Sequence, residues 1–284
     1  LIEWAYLQGR LDYKQFCNDI SQTVRGLNSF IDQAGVRQYR TAGNYALFEY
    51  FTKPNWMNGN KPFSYDFEDF TGTDDYTKQF VTKVIRTHTG QCRSLPMCYK
   101  ILAEEIGAEA YLAQAPNHLY IKHLGEDNKW VNVELTTHQI TPEFFYREHF
   151  EISDKAIENK IYLTPLTDRE TVAAQLADLA FGYWNKFKCY DEFTRCCTEK
   201  SLEYYPQHPK ACIILGKSLD AALVKHLKEN GYKEDACTRQ IEAQSAALYE
   251  KLKALGWEDM SEELHDKLEK GNEEGMKMQE ATTQ

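Results

Sequence analysis

Apolar positions along the chain recur first at helical spacing. Phe16, Ile20, Val24, Leu27 and Ile31 predict an amphipathic helix over 11–34, ended near Gly35. A second run over 44–53 carries Tyr45, Leu47, Phe48, Tyr50 and Phe51, and Pro54 stops it. The period disappears over 54–73, where Gly, Asn and Pro gather around Trp56, Phe63, Tyr65, Phe67 and Phe70. That stretch reads either as a packed loop or as one wall of a binding cleft. Asp74 or Asp75 can cap the next helix, whose buried side is Phe80, Val81, Val84 and Ile85. Leu95, Tyr99, Leu102 and Ile106 form a further stripe that stops at Gly107.

The period then falls from 3.6 to 2. Strands are expected over 111–115, 118–124 and 130–135, with a hairpin turn at 125–128. In the second strand His118, Tyr120 and Lys122 share one face; in the third, Trp130, Asn132 and Glu134 do. A short helix over 142–147 and a strand-like 160–163 follow, and everything after 167 reads as helix. The pattern predicts an α+β protein: residues 1–166 hold the sheet and the N-terminal helices, 167–271 are helical, and 272–284 form a charged, frayed tail.

Composition narrows the function. A chain of 284 residues, 42% hydrophobic and 13% aromatic, can build real cores. Its net charge of -10 leaves no basic surplus to neutralise phosphates, so nucleic acid is not an expected partner. No apolar run approaches the ~18–20 residues that cross a bilayer. The chain begins at Leu1. A removed signal segment, as in a bacterial periplasmic or envelope protein, is one expectation; a trimmed cytoplasmic chain is the other. Eight cysteines at 17, 92, 98, 189, 196, 197, 212 and 237 include no Cys-x-x-Cys pair, so a structural zinc site is not expected, and the enzyme reading reached below implies no metal or organic cofactor. Those in the C-terminal half fall beside apolar stripes and read as small core residues.

One cysteine stands apart. Cys92 follows Gly90-Gln91 and directly precedes the stripe at 95–106, at a helix start where free N–H groups and the positive dipole end favour a thiolate. An ordinary thiol titrates near ~8.5, and a helix N-terminus with an adjacent imidazolium can bring it to about 3.5–7.5. Antiparallel pairing can bring His118 and Glu134 together, and a helix packed on that sheet can aim Cys92 at His118. This is a nucleophile, base and orienting-carboxylate arrangement. His123 falls on the opposite strand face, His138 lies in a loop past the acid, and Cys98 belongs to the helix core. Asn117 either contacts substrate or shapes the strand entry, and Tyr120 either lines the cleft or packs in the sheet.

Three motifs carry a resemblance: Gly90-Gln91-Cys92, His118, and Trp130-Val131-Asn132-Val133-Glu134. Their order and context resemble the transglutaminase-like superfamily of papain-like cysteine enzymes, over roughly residues 75–165. Cys92-Arg93-Ser94-Leu95-Pro96 and Ala115-Pro116-Asn117-His118 look closest to a bacterial branch that couples this domain to helical repeats. The resemblance implies a papain-type core with catalytic Cys92, His118 and Glu134. Glu134 departs from the family's usual aspartate and reaches one methylene further. The Cys92 backbone N–H is the natural oxyanion donor; Gln91, Asn117 and Trp130 are the further substrate or oxyanion candidates. Gly182 and Gly216 recur at the tetratricopeptide period, and Pro206 closes the first unit; in the second, Gln240 takes the proline's place. Two functions are therefore expected. One is a cysteine peptidase, amidase or acyl transferase acting on a peptide or protein. The alternative is a catalytically silent scaffold that binds a protein partner, with the repeats as groove or buttress.

Overall fold

The computed structural model describes residues 2–69 and 74–283; Phe70, part of the expected aromatic wall, lies outside them. The protein is mixed α+β. It divides into two compact units, each assembled from separated stretches: residues 1–9 with 153–259, and residues 10–152 with 260–284.

The helical unit opens with α1 (Ile2–Tyr6). Its Tyr6 hydroxyl donates to Asn185 Oδ1 at 3.4 Å, and the Lys186 ammonium both bonds the Tyr6 carbonyl and sits over the Tyr6 ring.

The second unit begins with α2 (Tyr13–Ala34), capped by Asp12 and closed by Gly35 at φ 65°. Then comes α3 (Ala42–Thr52), whose Leu47, Tyr50 and Phe51 are buried. A 3₁₀ turn at Trp56–Asn58 leads to the two-residue strand β1 (Ser64–Tyr65). Asp75 caps a second 3₁₀ turn (Tyr76–Gln79) and not the full helix, because Phe80 is extended there; α4 (Val81–Thr87) starts after it. Strand β2 (Thr89–Gly90) runs parallel to β1, with Tyr65 opposite Gly90.

Helix α5 (Ser94–Glu105) buries Leu95, Cys98, Tyr99 and Leu102, and packs on the first two strands of an antiparallel sheet. The sheet is β3 (Tyr111–Ala115), β4 (His118–Leu124), β5 (Trp130–Glu134) and β6 (Gln139–Ile140), in that order. Lys122 pairs with Asn132, and Ala115 with His118. This register places Glu134 two residues along from Asn132 on the face that carries His118 and Tyr120. Helix α6 (Glu143–His149) brings Tyr146 onto that face, with the Tyr120 and Tyr146 rings stacked at 4.1 Å.

The remaining helices are α7 (Asp154–Glu158), α8 (Asp168–Phe187), α9 (Glu192–Tyr204), α10 (Pro209–Glu229), α11 (Ala236–Leu255) and α12 (Glu262–Thr283). The strand-like stretch 160–163 is not a strand: Lys160 and Leu163 take left-handed φ values of 58° and 60°, which no extended segment accommodates. In the helical unit the chain is organised by caps and buried hydroxyls. Thr167 with Glu170, Asp191 with Thr194, and Asp235 with Thr238 form capping boxes. Ser201 donates to the Ala173 carbonyl at 2.7 Å, and Thr194 meets Ser218 at 2.8 Å. Gly216 faces open space, so no close helix approach demands a glycine there. The core reading of the C-terminal cysteines holds for Cys212 alone. Cys189, Cys196 and Cys237 are exposed, since they sit beside the apolar stripes and not within them. Residues 262–283 are helical instead of frayed, with Leu264 buried in the unit that carries the sheet.

Candidate active site

Cys92 lies one residue ahead of the α5 N-cap, Arg93. The chain makes this turn because Gly90 has no side chain: a Cβ there would stand 2.8 Å from Val84 Cγ2. The turn is tied by Gln91 N–H donating to Ser94 Oγ at 2.9 Å and by Leu95 N–H donating to the Gln91 carbonyl at 3.1 Å.

His118 opens β4 after the two-residue turn Pro116-Asn117. Asn117 occupies a left-handed φ of 52°, which asparagine tolerates better than most residues. The Cys92 thiol points at the Asn117 carbonyl, 3.8 Å away. The His118 ring Nε2 is 2.7 Å from Glu134 Oε2, and the Cys92 thiol is near enough to act on the charge of the ring. With Nε2 committed to the carboxylate, Nδ1 is the nitrogen left for sulfur.

Glu134 is buried and fully partnered. Oε2 receives His118 and the Tyr146 hydroxyl at 3.1 Å. Oε1 receives the Thr136 hydroxyl at 2.7 Å and the Thr136 N–H at 3.0 Å. The extra methylene of glutamate lets the carboxylate fold back on the turn that ends β5 while its other oxygen reaches the imidazole. Phe150 stacks on the His118 ring at 5.2 Å and closes its other side.

Burial alone would push the His118 pKa down; the charge and hydrogen bond of Glu134, with the nearby Cys92, outweigh it and raise the value to about 10. Burial pushes Glu134 up, but the imidazolium charge and the hydrogen bonds from His118 and Thr136 hold it below the usual carboxylate value. The pair is therefore an ion pair at neutral pH.

Tyr65 completes the cluster from β1. Strand pairing sets Tyr65 opposite Gly90, and its phenol lies within electrostatic reach of Cys92. Burial first, then the nearby Cys92, raises its pKa, so it stays protonated. The segment behind it is fastened by Asp66, which pairs with Lys83 at 2.5 Å and Lys78 at 3.5 Å.

The other sequence candidates lie elsewhere. Gln91 is wholly buried: its carboxamide donates to the Asp69 carbonyl and accepts from Gln79, so it braces two loops. Trp130 sits at the far end of β5, four residues or about 13 Å from Glu134, with its ring edge-on to Tyr111 at 5.8 Å. The Asn117 side chain is exposed. His123 bonds the Leu124 carbonyl, and His138 takes a left-handed φ of 59° in the turn after β5. Thr136, Tyr146 and Phe150 carry no sequence signal, because they reach the site only through turns after β5. Tyr65 had one, as part of the aromatic stretch 54–73.

Two groups among the described residues have metal-ligand atoms close together, His226–Asp235–Cys237 and His265–Asp266–Glu269. In the first, Asp235 is already the cap of α11 and the partner of His226; the second lies on the exposed surface. Neither includes a residue of the Cys92 cluster. A cavity of about 350 Å³ lies in the unit that carries the sheet, lined by Asp19, Tyr50, Trp56, Arg86 and His88 among others, and Cys92 does not reach it.

The fold and cluster define a mixed α+β chain in which a hydrogen-bonded imidazole and carboxylate stand beside a thiol. No protein-family model, curated protein or solved structure matches it.

Proposed function

We propose that the protein is a transglutaminase-like cysteine hydrolase, or an acyl transferase of the same chemistry, acting on amide bonds in a peptide or protein. The observation that carries this reading is the buried His118–Glu134 ion pair, with the Cys92 thiol on the carbonyl of Asn117, the residue next to that histidine. A thiol that needs only to pack does not require a charged histidine beside it, nor four donors on that histidine's carboxylate.

In the reaction, the Cys92 thiolate, its proton held on His118, attacks the carbonyl carbon, and the imidazolium gives that proton to the amine as the C–N bond breaks. The resulting thioester is resolved by water in hydrolysis or by an amine in transfer, with His118 taking the incoming proton. Glu134 orients the imidazole and stabilises its charge, and the Cys92 N–H is the first oxyanion donor. Tyr146 and Thr136 act as positioning residues through Glu134.

Alkylation of Cys92 by iodoacetamide, read by peptide mass spectrometry across pH, tests the reading. Reaction that persists below neutral pH and is lost in His118→Ala supports it. Reaction that appears only in alkaline solution and is unchanged in His118→Ala rejects it, leaving the alternative of a silent scaffold that binds a protein partner. A peptide vinyl sulfone gives an independent arm: labelling is expected at Cys92 and absent from Cys92→Ala.

A further inference from the structure

The junction of α10 and α11 gathers three metal-ligating groups that play no part in the Cys92 cluster. His226 lies in the last turn of α10, Asp235 caps α11, and Cys237 is the second residue of α11. His226 Nε2, an Asp235 carboxylate oxygen and Cys237 Sγ all lie within 4.8 Å of one another. The connection between the helices brings them together by turning at Gly231 and Tyr232, which take left-handed φ values of 63° and 61°. No Cys-x-x-Cys spacing marks the cluster, because its ligands come from the end of one helix and the start of the next.

Two of the three groups are accounted for without a metal. Asp235 Oδ1 accepts the Thr238 N–H at 2.9 Å and so caps α11, and His226 Nε2 stands 2.9 Å from Oδ2. Neither the cap nor that pair needs a thiol. Cys237 nevertheless converges on the same point as a free, exposed side chain. An imidazole, a carboxylate and a thiol form the mixed donor set of a zinc-class ion. Tetrahedral zinc, with bonds of about 2.0–2.3 Å, holds its ligand atoms roughly 3.3–3.6 Å apart. The His226–Asp235 contact has to open by only about half an ångström to admit it, and the thiol to move in by at most about 1.3 Å. The carboxylate is already braced: Asn230 Nδ2 donates to Oδ2 at 3.0 Å, and the Thr238 hydroxyl donates to Oδ1 at 3.2 Å. Both contacts survive metal binding, because the ion takes the place of the proton between the imidazole and Oδ2.

We propose that His226, Asp235 and Cys237 bind a divalent ion of the zinc class, with solvent water as the fourth ligand, and that the ion clamps the end of α10 to the start of α11. Binding deprotonates the thiol, whose proton passes to solvent, and takes the imidazole in its neutral form with the Nε2 lone pair on the metal. The ion is neither oxidised nor reduced. The site stands independently of the catalytic reading of Cys92.

The test titrates the full-length chain with Co(II) alone as a spectroscopic stand-in for zinc. Thiolate ligation gives a sulfur-to-cobalt charge-transfer band in the near ultraviolet, and tetrahedral geometry gives intense visible bands. The expected result is a charge-transfer band that saturates at one equivalent and is bleached by one equivalent of Zn(II). It should be kept in Cys92→Ser and lost in Cys237→Ser; Cys237 is exposed, so serine there should leave the far-ultraviolet circular dichroism unchanged. Competition for Zn(II) against a chromophoric chelator should show affinity lower by about tenfold to a hundredfold in Asn230→Ala, which acts on the ion only through Asp235. Equimolar Zn(II) should slow iodoacetamide alkylation of Cys237 and leave that of Cys196, an exposed thiol outside the cluster, at the parent rate.

The absence of a charge-transfer band at one equivalent overturns the site. So does a band that persists in Cys237→Ser, or one that is lost in Cys92→Ser and kept in Cys237→Ser, which places the metal on the other thiol. Equal slowing of Cys237 and Cys196 by Zn(II) marks indiscriminate thiol binding and also overturns it.

Discussion

At the scale of single residues, the charge state of His118 and Glu134 decides the behaviour of the site. Glu134 is held low, so its share of stability is present above the unfolded carboxylate range and disappears as pH falls through its folded value. His118 is raised to about 10, so its share is complete below an unfolded value near ~6.5 and is lost as pH rises towards the folded one. The thermal midpoint should therefore drop on going from pH 6.5 to pH 10. In Glu134→Gln that slope should be much shallower, because the neutral amide no longer raises the imidazole. Parallel slopes in the two proteins would reject the pair as the cause. Removing the carboxylate outright, in Glu134→Ala, strands a buried imidazole and should cost about 3–5 kcal/mol in denaturant unfolding. The signal that marks these residues in the sequence is their type and order. Their hydrogen-bond supply is not marked: Thr136 and Tyr146 look like any loop threonine and helix tyrosine.

At the scale of elements, the β3–β4 hairpin sets the geometry by placing His118 at the head of its strand. Its turn depends on a left-handed residue at 117. Asn117→Gly should leave stability and Cys92 alkylation near parent values. Asn117→Val, which strains the left-handed position, should destabilise by about 1–3 kcal/mol and slow alkylation; equal melting curves for the two variants would show that the turn does not need this conformation. The strand spans were readable from their period, and so was the sharing of a face by His118 and Glu134. The pattern after Asp75 predicts one continuous helix, but Phe80 is extended and splits it. No periodic pattern records a single extended residue between two helical turns. The stretch 160–163 failed for the complementary reason. Its alternation is strand-like, but strands need a partner, and two left-handed residues prevent one.

For the whole molecule, the acidic balance governs what it meets. With a net charge of -10, the protein should bind an anion exchanger near neutral pH and should not retard duplex DNA in a gel at about 0.15 M salt. Retardation that weakens with added salt would reveal a local basic surface that the total conceals. The division into two compact units cuts across simple sequence order, because the first nine residues belong with 153–259 and the last twenty-five with 10–152. A reading that moves along the chain assigns each end to its neighbours. Only the fold shows that α12 returns to the unit of the sheet, where a charged terminal stretch becomes a packed helix with a buried leucine.

By itself the sequence determined the α+β class, most helix and strand spans, and the three side chains that meet at the cluster. Periodicity and motif order are local properties, and they survive without knowledge of the fold. Tertiary structure alone decided what surrounds that cluster. The Glu134 carboxylate gathers four donors, the Gln91 carboxamide turns inward as a brace, and β1 sets Tyr65 opposite Gly90. These are contacts between stretches with no shared period, brought together because burying a charge requires partners from wherever the fold supplies them. The same holds for α12, whose glycine at 275 has meaning only because Phe67 lies beneath it.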